Sequence, residues 1–364
     1  MIIYATIALG LLVFIHEGGH YLASRLFGVR VTEFMLGLPG PSVGFRHGRT
    51  RFGVTIIPLG GYARVCGMEP GEMSPYLQRA MASVYARGEA LMEDVAIDCG
   101  ISDDDALAAL EELVEWGTIT GPKSSDQYNM FRTPEIRPTR GEIKKAKKGG
   151  LAEPIAYREG EARPLADPQA FFEEEYKQQY RSLPFWKRSI ILVAGVTVNI
   201  VAAILLFVVA FSIFGVDMAD PTTGETMHYT VDPLRSIQAG FNYIGLVIQA
   251  VANLFNPATA AETISNSTSV VGIAYMSKMY ADAGFSSYLS FIAMLSVSLG
   301  VMNLLPIPPL DGGRFVVEVY QRIRRKVVTP RAMNYLSFIG VGLFILLFVV
   351  MMNQDIQRFI FGNW

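Results

Sequence analysis

Cysteine is nearly absent: Cys66 and Cys99 are the only two in 364 residues. That excludes a disulfide framework and a cysteine-based zinc site. Charge is also scarce, with Asp, Glu, Lys and Arg making up 18% of the chain against 51% hydrophobic residues, and the mean hydropathy is +0.31. So apolar a chain does not read as an ordinary soluble domain, yet it is long enough for several membrane spans plus a soluble insert. The net charge of -2 points to no class of partner. The apolar start lacks the basic segment of a secretion signal and is expected to be retained as a span.

What is present is a set of long apolar runs. The chain begins with one that ends near Leu26, and others cover Ile190 to Phe214, about Leu289 to Leu305, and Met333 to Met352, which predicts four spans. Residues 237–257 form a further apolar stretch, but Gln238, Asn242, Gln249 and Asn253 interrupt it, so it is expected to lie at the interface or insert partly. Of the 31 Lys and Arg residues, 22 lie between Arg25 and Arg188, 6 between Arg314 and Arg331, and only Arg235, Lys278 and Arg358 elsewhere. Basic residues favour the cytoplasmic side, so both termini are expected outside and the two basic segments inside.

The predicted class is mainly α: a polytopic membrane protein with about four transmembrane helices, a membrane-associated β-hairpin and a small cytoplasmic α/β insert. The expected organisation is a first span and hairpin over residues 1–73, an insert over 74–136 and a basic, loop-like linker over 137–180. A second span over 181–216, an external loop with an interfacial helix over 217–285, and the third and fourth spans over 286–364 follow.

The first span contains His16, Glu17 and His20. Imidazoles at i and i+4 share one helix face and can share a metal, and the carboxylate beside the first can take a proton from an attacking water. The bare pattern also occurs by chance on soluble helix surfaces. Here Leu11, Leu12, Phe14, Ile15, Tyr21 and Leu22 surround it and leave no water-facing stripe. Ionisable groups in hydrocarbon are costly and usually functional. A polar cluster that glues helices together is the other bland reading, and it gives no reason for this spacing.

The third run ends in Gly300-Val-Met-Asn-Leu-Leu-Pro-Ile-Pro-Pro-Leu-Asp-Gly-Gly-Arg314. Pro306, Pro308 and Pro309 break the helix, and free backbone groups at membrane depth need protein or a water-filled cavity to receive them. Asp311 beside two glycines is either part of a site or part of a kinked packing element. With Asp311 as third ligand, His16 and His20 would leave one position open, as in catalytic rather than structural zinc sites.

These residues resemble the bacterial branch of the site-2 proteases, which are intramembrane zinc metalloproteases. The resemblance rests on His16-Glu17-Gly18-Gly19-His20, the Asn303 to Gly313 segment and the run from Ile56 to Tyr62. Weaker echoes occur at Phe185 to Arg188, at Ala194, Gly195 and Asn199, and at Val271 to Ala274. It covers about residues 1–70 and 180–360. It implies Zn2+ bound by His16, His20 and Asp311, Glu17 as general base, and Asn199 and Asn303 as substrate-positioning residues. It also implies membrane-spanning protein substrates, regulated intramembrane proteolysis and a place in the bacterial plasma membrane. Val196 and Arg314 stand where the family commonly has proline and histidine.

Residues 74–180 depart from that family pattern, and the loop between spans two and three is too short for the PDZ domain many relatives carry there. The insert reads as a helix from Pro75 to Asp94, a turn from Val95 to Gly100, a helix from Ser102 to Trp116 and an extended return near Tyr128 to Arg132. Ser102 is a natural cap and Gly117 a natural stop. The spacing resembles a small winged helix, yet its second helix, SDDDALAALEELVEW, carries six acids and no base. Nucleic acid is therefore not an expected partner, and a cytoplasmic protein bound by residues 74–136 is. The basic run Lys144, Lys145, Lys147 and Lys148 either rests on the anionic lipid bilayer or is solvated. The hairpin around Pro41 to Val65 either captures unwound substrate at a strand edge or plugs the bundle. Two rival functions remain: a metal-handling membrane protein, which would not require Glu17, and a non-proteolytic membrane scaffold that uses the insert to bind a partner.

Overall fold

The computed structural model describes residues 1–361 apart from 58, 59, 70, 139, 153, 220–225 and 360. Helix α1 (Ile2–Leu26) leads into strands β1 (Val31–Leu36), β2 (Ser42–His47), β3 (Thr50–Thr55) and β4 (Gly61–Val65). The hairpin expected from the sequence is β2–β3, turning at Gly48 with φ 59°, a conformation that glycine adopts without steric penalty. It is half of a larger sheet of order β2-β3-β1-β4, in which β1 runs parallel to β3 and antiparallel to β4. Tyr21 of α1 packs edge-on against Phe34 and Phe52, with ring centroids 5.6 and 5.5 Å away, and so fixes the sheet to the helix. At the far edge, Val43 and Phe45 of β2 are 85% and 67% exposed, an apolar tip suited to a membrane surface.

The insert contains α2 (Leu77–Arg87), β5 (Glu89–Leu91), α3 (Met92–Cys99), α4 (Asp103–Glu115) and β6 (Met130–Arg132). This differs from the single helix to Asp94 read from the sequence. Gly88, at φ 84°, ends α2 early, residues 89–91 pair with 130–132, and the expected turn is α3. Helix α4 behaves as expected: Ser102 accepts a hydrogen bond from the Asp105 amide, and Ala106, Ala109, Leu110 and Leu113 form one buried face. The stretch read as a linker contains α5 (Arg140–Lys148), which carries the basic run, and α6 (Pro168–Lys177). Phe171, Phe172 and Tyr176 of α6 pack on the insert core around Trp116.

A buried ion pair joins insert and sheet. Arg30, 1% exposed just before β1, donates to both carboxylate oxygens of Glu175 at 2.7 and 2.8 Å and to the carbonyls of Trp116 and Gly117. Thr118 donates to Glu175 at 2.8 Å. Burial raises the Glu175 carboxyl, but the hydrogen bonds and charge of Arg30, aided by Arg49, outweigh that and hold it down at about 2.

The bundle follows: α7 (Phe185–Val208), extended by a π-helical turn to Phe214, the hairpin β7 (Val216–Ala219) and β8 (Thr226–Tyr229), and helices α8 (Pro233–Leu254), α9 (Ala260–Asn266) and α10 (Val270–Asp282). Then come α11 (Phe285–Asn303), α12 (Asp311–Arg324) and α13 (Pro330–Phe359). Helix α7 is the hub and packs against α1, α8, α11 and α12. Among the described residues five helices, α1, α7, α8, α11 and α13, are long and apolar enough to cross a membrane, one more than the sequence reading counted. The extra one, α8, enters beside the end of α7 through Ser236 and Ser212. The chain leaves it through α9, whose Ser265 carbonyl accepts from Arg358 near the end of α13. Met1 and Tyr4, at the start of α1, accept hydrogen bonds from Ser277 of α10 and Tyr288 of α11. The protein is a multi-pass membrane protein of mainly α class.

Candidate active site

Helical spacing puts His16 and His20 on the face of α1 that meets α7, both buried. The two helices touch backbone to backbone there: a Cβ on Gly19 would lie 2.6 Å from the Ala194 carbonyl oxygen. A Cβ on Gly195 would lie 2.5 Å from His20 Nε2 and 2.8 Å from His16 Cε1. Glycine at 195 therefore makes the space in which the imidazoles turn toward each other.

Asp311 arrives from the other side as the first residue of α12. The proline segment bends tightly before it, and the bend is held by glycines. A Cβ on Gly312 would meet the Leu304 carbonyl at 2.1 Å, one on Gly313 the Pro308 nitrogen at 2.3 Å, and one on Gly340 of α13 the Pro308 carbonyl at 1.9 Å. Asp311 Oδ2 lies 3.0 Å from His16 Nε2 and 3.1 Å from His20 Nε2, and the two Nε2 atoms are 3.3 Å apart.

Ligand bonds of 2.0–2.1 Å at a tetrahedral zinc place the ligand atoms about 3.3 Å from one another, so this triangle fits the ion. Its chemistry fits as well. His20 Nδ1 lies 2.8 Å from the Ile191 carbonyl and donates to it, so in the neutral ring Nε2 holds a lone pair facing inward. His16 Nδ1 lies 3.3 Å from the amide of Asn199, which is fully buried and whose other amide atom has no partner. With that amide turned end for end, Asn199 accepts from Nδ1–H and leaves His16 Nε2 free. Three electron-donating atoms then converge, an arrangement that calls for a cation. Among the described residues, His16, His20 and Asp311 are the one group of three such side chains close enough to share a metal.

Glu17 sits one residue from the first ligand. Its Oε2 accepts the Ala63 amide of β4 at 2.9 Å, and Oε1 has no hydrogen-bond partner among the described residues. Gly61 lets β4 lie close against α1: a Cβ there would sit 2.7 Å from Val13 Cγ1 and 3.0 Å from the Met35 carbonyl oxygen. β4 pairs with β1 on one side and, among the described residues, no strand pairs with its other edge, where Glu17 takes the Ala63 amide.

The structure thus brings together His16, Glu17, His20, Asp311 and Asn199. Asn303 is the last residue of α11, half-buried, with no hydrogen-bond partner for its side chain among the described residues. Of the run from Ile56 to Tyr62, Pro58 and Leu59 lie outside the described residues. Sequence reasoning missed the Ala63 amide and the Ile191 carbonyl. Both are backbone groups, and no residue type announces them.

The sequence pattern described as "Peptidase family M50" matches residues 4–347. The chain is 25% identical to the Regulator of sigma-W protease RasP of Bacillus subtilis, with 97% of each chain covered. It is 26% identical to a putative zinc metalloprotease of Rickettsia conorii, again over 97% of each. A putative zinc metalloprotease of Rhizobium meliloti is 27% identical, over 97% of this chain and 95% of its own.

Proposed function

The chain belongs to peptidase family M50, and from that premise we propose that His16, His20 and Asp311 hold its zinc and that Glu17 is its general base. The protein is a zinc-dependent metalloendopeptidase of the site-2 protease type, acting in intramembrane proteolysis. The observation that carries the assignment is the 3.0–3.3 Å triangle of His16, His20 and Asp311 with Glu17 adjoining it.

Zinc in such a site supplies Lewis acidity, polarising a substrate carbonyl and making water acidic enough to be deprotonated near neutral pH. Glu17 takes that proton on Oε1, while the Ala63 amide holds Oε2 and fixes the carboxylate in place. Glu17 then returns the proton to the leaving amine. A substrate helix hides its amides in internal hydrogen bonds, so the segment to be cut must unwind. The edge of β4 away from β1 offers it backbone partners in exchange, in the manner of strand addition. This brings the peptide beside Glu17, and Asn303 lies at the same broken end of α11 to help position it. Asn199, fully buried against His16, serves as a positioning residue for the metal ligand.

Substrates are membrane-spanning proteins, the lipid bilayer is the working environment, and the insert faces the cytoplasm of a bacterial plasma membrane. X-ray absorption at the zinc edge tests the ligand set. The expected spectrum has nitrogen and oxygen neighbours with two imidazoles and no sulfur, and Asp311→Asn should lose most of its zinc. Full zinc occupancy in that variant removes Asp311 from the set.

A further inference from the structure

Between the insert and the bundle lies a cavity of about 1160 Å³ whose floor includes Tyr62, Ala63 and Arg64 of β4 and Pro309 just ahead of Asp311. It therefore reaches the strand whose Ala63 amide holds Glu17. One wall is the bundle, with Arg314, Val317 and Gln321 of α12 and Met333 of α13. The opposite wall is α4, through Glu111, Val114 and Glu115.

In a helix-turn-helix module the second helix is the one that reads a partner. In this insert that helix is α4, and its outward face is turned into the cavity rather than away from the protein. Its position is fixed from both ends. Glu115 accepts the amides of Met68 and Glu69, Glu112 accepts that of Ser74, and the Arg30–Glu175 pair locks the insert to the sheet. What α4 reads must therefore lie in the same space as the peptide at β4.

The cavity's charges say what that peptide carries. Three of its cations are already matched: Arg64 by Glu33, Arg181 by Glu112 and Arg188 by Glu318. The carboxylates of Glu69, Glu72 and Glu111 have no cationic partner among the described residues, whereas Arg314 reaches only the Met68 sulfur. Glu115, whose Oε1 accepts only the Met68 and Glu69 amides, also has no cationic partner among the described residues, so the unmatched balance is four carboxylates against one guanidinium. Membrane-spanning segments are flanked by Lys and Arg on their cytoplasmic side, which is the side the basic residues of this chain assign to the insert.

We propose that this cavity is a vestibule that receives the basic cytoplasmic flank of the membrane-spanning substrate, and that Glu69, Glu72 and Glu111 select substrates by that charge. The insert then works as a substrate reader built onto the active site. This rests on the peptidase reading for the identity of its occupant.

The test uses full-length Glu17→Gln protein in nanodiscs of zwitterionic lipid and a short fluorescent lysine-rich peptide, with anisotropy as the readout. The peptide should bind, salt should weaken it, and a Glu69→Gln, Glu72→Gln, Glu111→Gln triple variant should lose about tenfold in affinity, the scale of a few partly screened ion pairs. An acidic peptide of the same length should not bind. No binding, or equal binding by the triple variant or of the acidic peptide, overturns the proposal. With active protein, single-span substrates with a basic flank should show a lower KM than those with a neutral flank, and Glu111→Lys should shift the preference toward an acidic flank. Equal KM values for the two flanks also overturn it. If the active protein cleaves nothing while the peptide still binds as described, the peptidase reading fails and the vestibule stands.

Discussion

His16 and His20 can each point Nε2 at one spot because something holds Nδ1: the Ile191 carbonyl for His20 and the Asn199 amide for His16. Groups of this kind commonly set metal affinity by about 10–100-fold. Asn199→Ala should weaken zinc binding on that scale in a chelator competition, and Asn199→Asp, which keeps an acceptor, should weaken it less. Equal affinity in all three proteins would return Asn199 to a purely helix-packing role. Gly195→Ala makes a sharper prediction, because its Cβ would sit 2.5 Å from His20 Nε2. The purified variant should carry well under one zinc per chain by metal analysis, and full loading would show that α1 and α7 can separate at no cost. At this scale the sequence was informative where side chains act. The i, i+4 spacing of the histidines and the Asp311 after three prolines were readable, whereas Gly195 was only a weak echo and the Ala63 amide had no signature at all.

Elements couple through the Arg30–Glu175 pair, which ties α6 and the turn after α4 to the start of β1. Removing one partner of a buried pair leaves the other charge uncompensated and costs about 3–5 kcal/mol. Glu175→Gln should therefore loosen the insert, seen as faster limited proteolysis between residues 74 and 180, with zinc still bound at the site. Protection equal to wild type would show that the apolar core alone docks the insert. The pH dependence has a definite sign. The Glu175 carboxyl lies at about 2, below its ordinary value near 4.5, so its stabilisation is complete above the ordinary value and fades as pH falls toward 2. Insert protection should drop over that acid window in wild type and change less in Glu175→Gln. The sequence marked the ends of α4, because Ser102 and Gly117 are strong local signals. It missed β1, β5 and α3, which are short and take their definition from tertiary partners rather than from periodicity, and α6, whose aromatic face has meaning only against Trp116.

At the scale of the whole molecule, basic residues decide which way the bundle faces, and the vestibule depends on that orientation. Both native cysteines are buried, and burial pushes the Cys66 thiol up to about 12, so labelling of introduced cysteines has little background. Lys145→Cys should react with an impermeant maleimide only when the cytoplasmic face is exposed, and His228→Cys only from the opposite face; the reverse pattern would invert the protein and remove the argument from substrate charge. The four spans counted from hydropathy reappear as α1, α7, α11 and α13. Helix α8 was ambiguous because its polar residues and its length point in opposite directions, and its packing along α7 and α11 is a tertiary contact that hydropathy does not show. The central claim, that Glu17 acts on water at a zinc held by its neighbours, is tested most directly by measuring zinc content and substrate cleavage on the same preparations of wild type and Glu17→Gln. The account predicts about one zinc per chain in both proteins, the ligand set being complete without Glu17, with cleavage in wild type alone. Undiminished cleavage by Glu17→Gln would contradict it.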